Sequence, residues 1–248
     1  MSETSYQAAR QAFERQMEEW NWAGQKAGRQ KILQAFLELS IANGFNSVSM
    51  RTIANAVKIK PPSLYSHFPD GRDEIVSESL RWHFHRFGVA LLEAVEPATN
   101  AGEFWDAMVR LHFTRQVRLP ESNLWDLLVA TDRMAGFLPE NLRAQVDHWV
   151  MLHEQMYIAA AHDMGCSDAA EHVRVVVTLL EGATRWAPAD YSDAELGVMA
   201  DRAVTLSRAI LATSFPGNPH ASEDQPHAFR FKPDGSARAR VPVQSVEK

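Results

Sequence analysis

The sequence predicts an all-α protein, with a small helix-turn-helix head near the N-terminus and a helical bundle behind it. Three observations predict this. Apolar residues recur at spacings of three and four through most of the 248 residues, the mark of amphipathic helices. The interruptions are isolated residues such as Pro97, Gly102, Pro120, Gly136, Gly165 and Pro188, and no convincing strand lies between them. The stretch Ser49 to Phe68, SMRTIANAVKIKPPSLYSHF, reads as two short helices around a tight turn.

Length and composition bound the rest. A chain of this size can bury a substantial core in one large or two small domains. Cys166 is the single cysteine, which excludes an intrachain disulfide and fits a reducing compartment. No stretch has the apolar length of a membrane span. The first twenty residues carry Arg10, Glu14, Arg15, Glu18 and Glu19 in place of a signal peptide's apolar centre. The expectation is a cytoplasmic protein with no membrane partner. Its formal charge of −6 is unevenly spread. Between Gly24 and Phe68 six basic residues (Lys26, Arg29, Lys31, Arg51, Lys58, Lys60) face Glu38 alone, so this stretch carries +5 and the remainder −11. An acidic chain with one basic end has gathered its affinity for phosphate there.

Taken in order, residues 1–28 form an extension in which Tyr6, Ala9, Phe13, Met17 and Trp20 follow helical spacing. A helix from about Ser5 to Trp22, ending near Gly24, is expected. Its stripe packs on the body or on a second subunit, or else it lets Lys26 and Arg29 reach nucleic acid beside the main groove. Residues 29–86 are the head and the start of a connecting helix. Ile32, Leu33, Phe36 and Leu37 line a bracing helix from Arg29 to Asn43, which Gly44 stops. Ser49 then caps a helix whose inner face is Met50, Ile53, Ala54 and Val57. Pro61 disfavours helix at Lys60 but is well tolerated as the first residue of a new one, so a second helix starts at Pro61 or Pro62. On it Leu64 and Phe68 face inward, and Lys60, Pro62, Ser63, Tyr65, Ser66 and His67 face outward. Cations, hydroxyls and an aromatic on one side suit a duplex backbone.

The connecting helix, Asp73 to Ala94, carries Ile75, Leu80, Trp82, Phe84, Phe87 and Leu91. His83 and His85 diverge on it, which argues against a shared metal. Residues 87–213 form the body, with helices at about Ala101 to Val117, Glu121 to Met134, Pro139 to Met164, Ser167 to Trp186 and Ser192 to Thr213. Residues 214–248 are a tail. There Phe229 to Lys232 and Ala237 to Val241 alternate around Pro233-Asp234-Gly235, a hairpin signal.

The motif Gly44-Phe45, Ser49, Ile53-Ala54, Ile59, Leu64-Tyr65, His67-Phe68 and Arg72 resembles the DNA-binding domain of the TetR family of bacterial transcriptional regulators. Lys58 departs from the pattern, standing where that family has glycine. The resemblance implies a double-stranded DNA operator as partner, with Ser49, Arg51, Thr52, Lys60, Pro62, Ser63, Tyr65 and His67 at the interface and Arg72 as a phosphate contact. It also implies a homodimer built from the last two helices. Those helices carry the stripes Val173, Val177, Leu180, Thr184 and Leu196, Ala203, Leu206, Ile210.

A small-molecule effector site is expected in the body. Trp105, Met108, His112 and Arg115 share one helix face, Trp149, His153 and Tyr157 another, and Trp125 lies between, a few polar groups among many aromatics. Catalysis finds little support: His153-Glu154-Gln155-Met156-Tyr157 has the zinc-protease spacing but tyrosine in place of the second ligand. The reading is a ligand-responsive repressor with no cofactor or metal. An activator or ligand-independent DNA-binding regulator shares the same head, and an all-α enzyme is the remaining alternative.

Overall fold

In a computed structural model of the chain, the residues described are 3–19, 26–135, 138–188 and 190–213. Among them are ten α-helices: α1 Ser5–Glu19, α2 Ala27–Asn43, α3 Met50–Ala56, α4 Pro61–His67, α5 Arg72–Val95, α6 Ala101–Arg118, α7 Pro120–Ala135, α8 Glu140–Asp163, α9 Ala169–Glu181 and α10 Asp193–Leu211. The end of the first helix beyond Glu19, with Trp20, Trp22 and Gly24, lies outside the described residues. So do Gly136 and the tail with its hairpin signal.

Local chemistry sets the helix ends. Gly44 and Gly71, with φ of 81° and 72°, stop α2 and start α5 where a side chain would be strained. Asn100 caps α6 by accepting from the Glu103 amide, and Ser192 and Glu195 form a reciprocal capping box on α10. The expected Ser167 to Trp186 helix is shorter than its apolar pattern. It ends at Glu181, and after Gly182 a single 3-10 turn, Ala183–Arg185, turns the chain.

The head, α2 to α4 with the start of α5, closes on Phe36, Ile53, Leu64 and Phe68, all fully buried. The helix α5 leaves it and packs on α6 in the body, where α6, α8, α9 and α10 bury Trp105, Phe113, Tyr157 and Leu180. The extension packs within the chain, as one of the two expectations had it: α1 lies along α8 and α5. Tyr6, Phe13 and Met17 sink into the core, and the Tyr6 amide donates to Asp163 at the end of α8. No helix among the described residues is long and apolar enough to cross a membrane.

Candidate nucleic-acid interface and effector region

The turn between α3 and α4 is a Schellman arrangement built on an unusual residue. The Ile59 amide donates to the Ala54 carbonyl at 3.0 Å and the Lys58 amide to Asn55 at 3.2 Å. The residue between must be left-handed, and it is Lys58, with φ of 60°. At the front of α3 the Ser49 hydroxyl accepts from the Thr52 amide at 3.2 Å, and the Thr52 hydroxyl accepts from the Ser49 amide at 2.9 Å. The α4 helix then opens on its two prolines, where missing amide donors cost nothing. Leu64 and Phe68 are fully buried beneath it, so the opposite side is left to solvent: Lys60, Pro61, Pro62, Ser63 and Ser66 are exposed, and Tyr65 is 48 % exposed. With Ser49, Arg51, Thr52 and Lys58, also exposed, they form one cationic and hydroxyl-bearing surface around α3 and α4.

Two arginines expected near nucleic acid also make contacts within the head. Arg72 donates from Nε to the Val48 carbonyl at 2.9 Å and from Nη2 to that of Phe45 at 2.8 Å, with its guanidinium 4.6 Å from the Phe45 ring centre. It holds the loop before α3. Arg29 lies 4.1 Å over the Phe68 ring, pairs with Glu74 and Glu78 and donates to the His67 carbonyl, tying α2, α4 and α5 together. His67 is half-buried, its ring beside Gly28. Each of these partners lies 24 or more residues away in sequence, beyond the reach of a local pattern.

In the body, four of the expected effector residues converge. His153 stacks on Trp149 at 5.3 Å and meets Tyr157 edge-on at 5.3 Å and His112 at 5.5 Å. Trp105 also packs on Tyr157, at 5.3 Å, and donates to Ser207 on α10 at 2.9 Å. Met108 is fully buried, while Arg115 sits half-buried at the margin. Trp125 stands apart, against Phe36 of the head and His83. The sequence pattern did not assign Phe87, 5.3 Å from His153, Phe84, 4.5 Å from Trp149, or Phe13 of α1, 5.6 Å from Trp149, to this cluster. Their stripes were visible, but which rings met was not. Burial pushes the His112 imidazole down to about 4 and that of His153 well below the ordinary histidine range, so both are neutral. Trp149 Nε1 and His153 Nε2 are buried without a hydrogen-bond partner in the protein, a cost of about 1–3 kcal/mol for each unsatisfied group.

The expected dimer stripes are divided between inside and outside. Val173, Leu180, Leu196 and Ala203 are in the chain's own core, each 2 % exposed or less, which corrects their assignment to a subunit contact. Thr184 and Leu206 are exposed, and Val177 and Ile210 are half-buried. The outward apolar residues of these helices are Val175 and Val198, 44 % and 69 % exposed, with Leu206 at 37 %.

Comparison with known proteins agrees with this architecture. Residues 32–78 match the model of the bacterial regulatory proteins, tetR family. A bacterial regulatory protein in the tetR family from Rhodococcus RHA1 superposes with a TM-score of 0.65 at 16 % identity, covering 77 % of this chain and 100 % of that one. The ketosteroid transcriptional regulator KstR2 of Mycobacterium tuberculosis superposes with a TM-score of 0.62 at 14 % identity, covering 75 % and 96 %. AibR, solved in complex with isovaleryl coenzyme A and operator DNA, does so with a TM-score of 0.59 at 18 % identity, covering 72 % and 96 %. No curated protein matches the chain in sequence.

Proposed function

From the premise that residues 32–78 belong to the bacterial regulatory proteins of the tetR family, we propose that this chain is a dimeric, ligand-responsive repressor of transcription. Each subunit sets the outer side of α4 in a major groove of a palindromic operator, with half-sites about 34–36 Å apart or a multiple of that. The observation that carries the reading is the exposed surface of α4. Pro62, Ser63 and Tyr65 stand free on a helix whose inner side is fully buried, in the basic end of an acidic chain. Lys60 meets phosphate there, Ser63 and Tyr65 meet base edges or methyl groups, and the Ser49–Thr52 cap, Arg51 and His67 fix register.

Dimerisation is assigned to the outward residues of α9 and α10, Val175, Val198 and Leu206, with Thr184, Val177 and Ile210 at the edge. The effector is assigned to the His112, Trp149, His153 and Tyr157 cluster. Its two unpartnered buried groups are what a carbonyl or hydroxyl of an apolar ligand would satisfy. AibR shows that one chain of this fold accommodates both a small molecule and operator DNA. Effector binding shifts α5, the helix that runs from the body into the head, and so changes the spacing of the two α4 helices.

The test is selection of bound duplexes from a random pool, repeated with fractionated metabolites present. A palindromic consensus lost on adding one fraction is the expected result. Failure to enrich any duplex at low ionic strength overturns the DNA reading, and a consensus that no fraction disturbs overturns the effector.

A further inference from the structure

One backbone angle in the head is at odds with the side chain that carries it. Among the described residues Lys58 is the only one besides glycine with a positive φ, 60°. The turn itself demands left-handed backbone at this position, because the Ile59 amide reaches back past Lys58 to the Ala54 carbonyl, 3.0 Å away, while the Val57 amide still bonds to Ile53. Glycine meets that demand without strain, and asparagine with little. Packing does not hold the lysine there, since its side chain is exposed. A strained residue standing where a relaxed one fits the same turn points to what its side chain reaches.

The helix that follows is poor in donors. It opens on Pro61 and Pro62, which have no amide hydrogen, and the Ser63 amide already donates to the Lys60 carbonyl at 2.9 Å. The first three residues of α4 therefore offer no free amide, and whatever holds a phosphate beside them must be a side chain. Lys58 and Lys60, both exposed, are two residues apart, so their Cα atoms lie within about 7 Å of one another. A lysine after a helix can also serve the negative end of that helix's dipole, here that of the seven-residue α3. In that role its removal would lower stability and leave a bound duplex alone.

We propose that Lys58 holds a backbone phosphate of the operator. Its ammonium group meets the strand at the edge of the groove that α4 enters, beside the phosphate met by Lys60, and supplies the grip that a helix headed by two prolines lacks. The contact rests on the DNA reading above and adds to it a cation blind to sequence, since a phosphate is the same beside every base pair. The substitution that relaxes the backbone of the turn is then also the one that loosens the duplex.

The test uses the full chain and its Lys58→Gly, Lys58→Asn and Lys58→Arg variants, each titrated over a range of salt with the duplex recovered by selection and with a scrambled duplex of equal length. Glycine and asparagine both take the left-handed turn and both remove the charge. Each is expected to weaken the two duplexes by the same factor, about fivefold near 0.15 M salt, and to lower the slope of log affinity against log salt by about one. Lys58→Arg should keep the parent's slope, and urea midpoints should show Lys58→Gly no less stable than the parent. Parental affinity and slope in both the glycine and the asparagine variants overturn the contact. So does a loss confined to the selected duplex, which would make Lys58 a reader of bases, and so does a fall in stability of Lys58→Gly with binding unchanged, which would give the lysine to the α3 dipole. In each of those cases the parent still binds its operator and the DNA reading stands; a parent chain that binds neither duplex overturns that reading and the contact with it.

Discussion

Met17 occupies the space that a side chain at position 88 would need: a Cβ built on Gly88 would stand 2.4 Å from the Met17 sulfur and 3.3 Å from Phe13 Cε1. The glycine in the middle of α5 is thus the notch into which α1 is seated. Gly88→Ala should change stability by no more than about 1 kcal/mol, because the crowding falls on the flexible end of Met17, which can shift, and is offset by a gain of about 1 kcal/mol in helix propensity. In a Met17→Ala background the same change should stabilise by up to about 1 kcal/mol. A denaturant-unfolding double-mutant cycle measures the difference, and additive effects would mean that α1 is not seated there.

At Lys58 the left-handed backbone is an avoidable cost. Lys58→Gly should raise stability by about 0.5–1 kcal/mol, the relief of strain being partly offset by the greater freedom of the unfolded chain. Lys58→Ala keeps the strain and should give no gain. Urea midpoints of the two variants decide it, and an equal rise in both would assign the effect to lost charge.

Arg72 and Lys60 should behave oppositely although both are cations of the head. Arg72→Ala loses two charge-assisted hydrogen bonds to the Phe45 and Val48 carbonyls and should cost about 1–3 kcal/mol of folding stability. Lys60→Ala should leave stability within about 0.5 kcal/mol and lower the slope of log affinity against log salt by about one. If Arg72→Ala folds like the parent and only the salt slope changes, the brace is not as described.

Tyr65→Ala should weaken the selected duplex by about 1–3 kcal/mol. A titration identical to the parent's would remove Tyr65 from the reading surface.

The buried histidines predict acid sensitivity. In the folded chain His112 is held down to about 4, His83 to about 3 and His153 well below its ordinary value, whereas the unfolded chain takes up these protons near pH 6.5. As pH falls below about 6.5 the unfolded state therefore binds more protons, and each neutral histidine lowers stability by about 1.4 kcal/mol per pH unit until its folded value is reached. Above pH 6.5 none of the three contributes. The unfolding free energy of a His112→Gln variant should fall less steeply than the parent's between pH 6.5 and 4, and parallel curves would mean that His112 is not buried neutral.

Local chemistry made the head readable in advance. The Ser49 cap, the Pro61-Pro62 start and the inward pair Leu64 and Phe68 each act within a few residues, so the register of α3 and α4 could be written down and the structure has it. The odd lysine at position 58 was visible, but only the backbone shows that it takes the left-handed turn. Burial of α9 was not decidable in that way. The helix is apolar on two sides, and spacing alone cannot say that Val173 and Leu180 point inward while Val175 points out. The aromatic residues of the body were named without their neighbours, since the contacts of Phe13 with Trp149 and of Phe87 with His153 join residues 66 or more apart in the chain. The bracing contacts of Arg29 and Arg72 were hidden for the same reason: their partners are distant carbonyls and carboxylates that no local pattern reveals.

One consequence of α5 is purely mechanical. At 24 residues it is a rod of about 36 Å at 1.5 Å per residue. A swing of about 8° where Phe87 sits among the body helices becomes, over the roughly 22 Å from Phe87 to Arg72 at about 1.5 Å per residue, roughly 3 Å of travel at the end carrying Arg72. An adjustment smaller than the width of a methyl group inside the body is thereby geared up to a shift comparable with the rise of one base-pair step along a duplex.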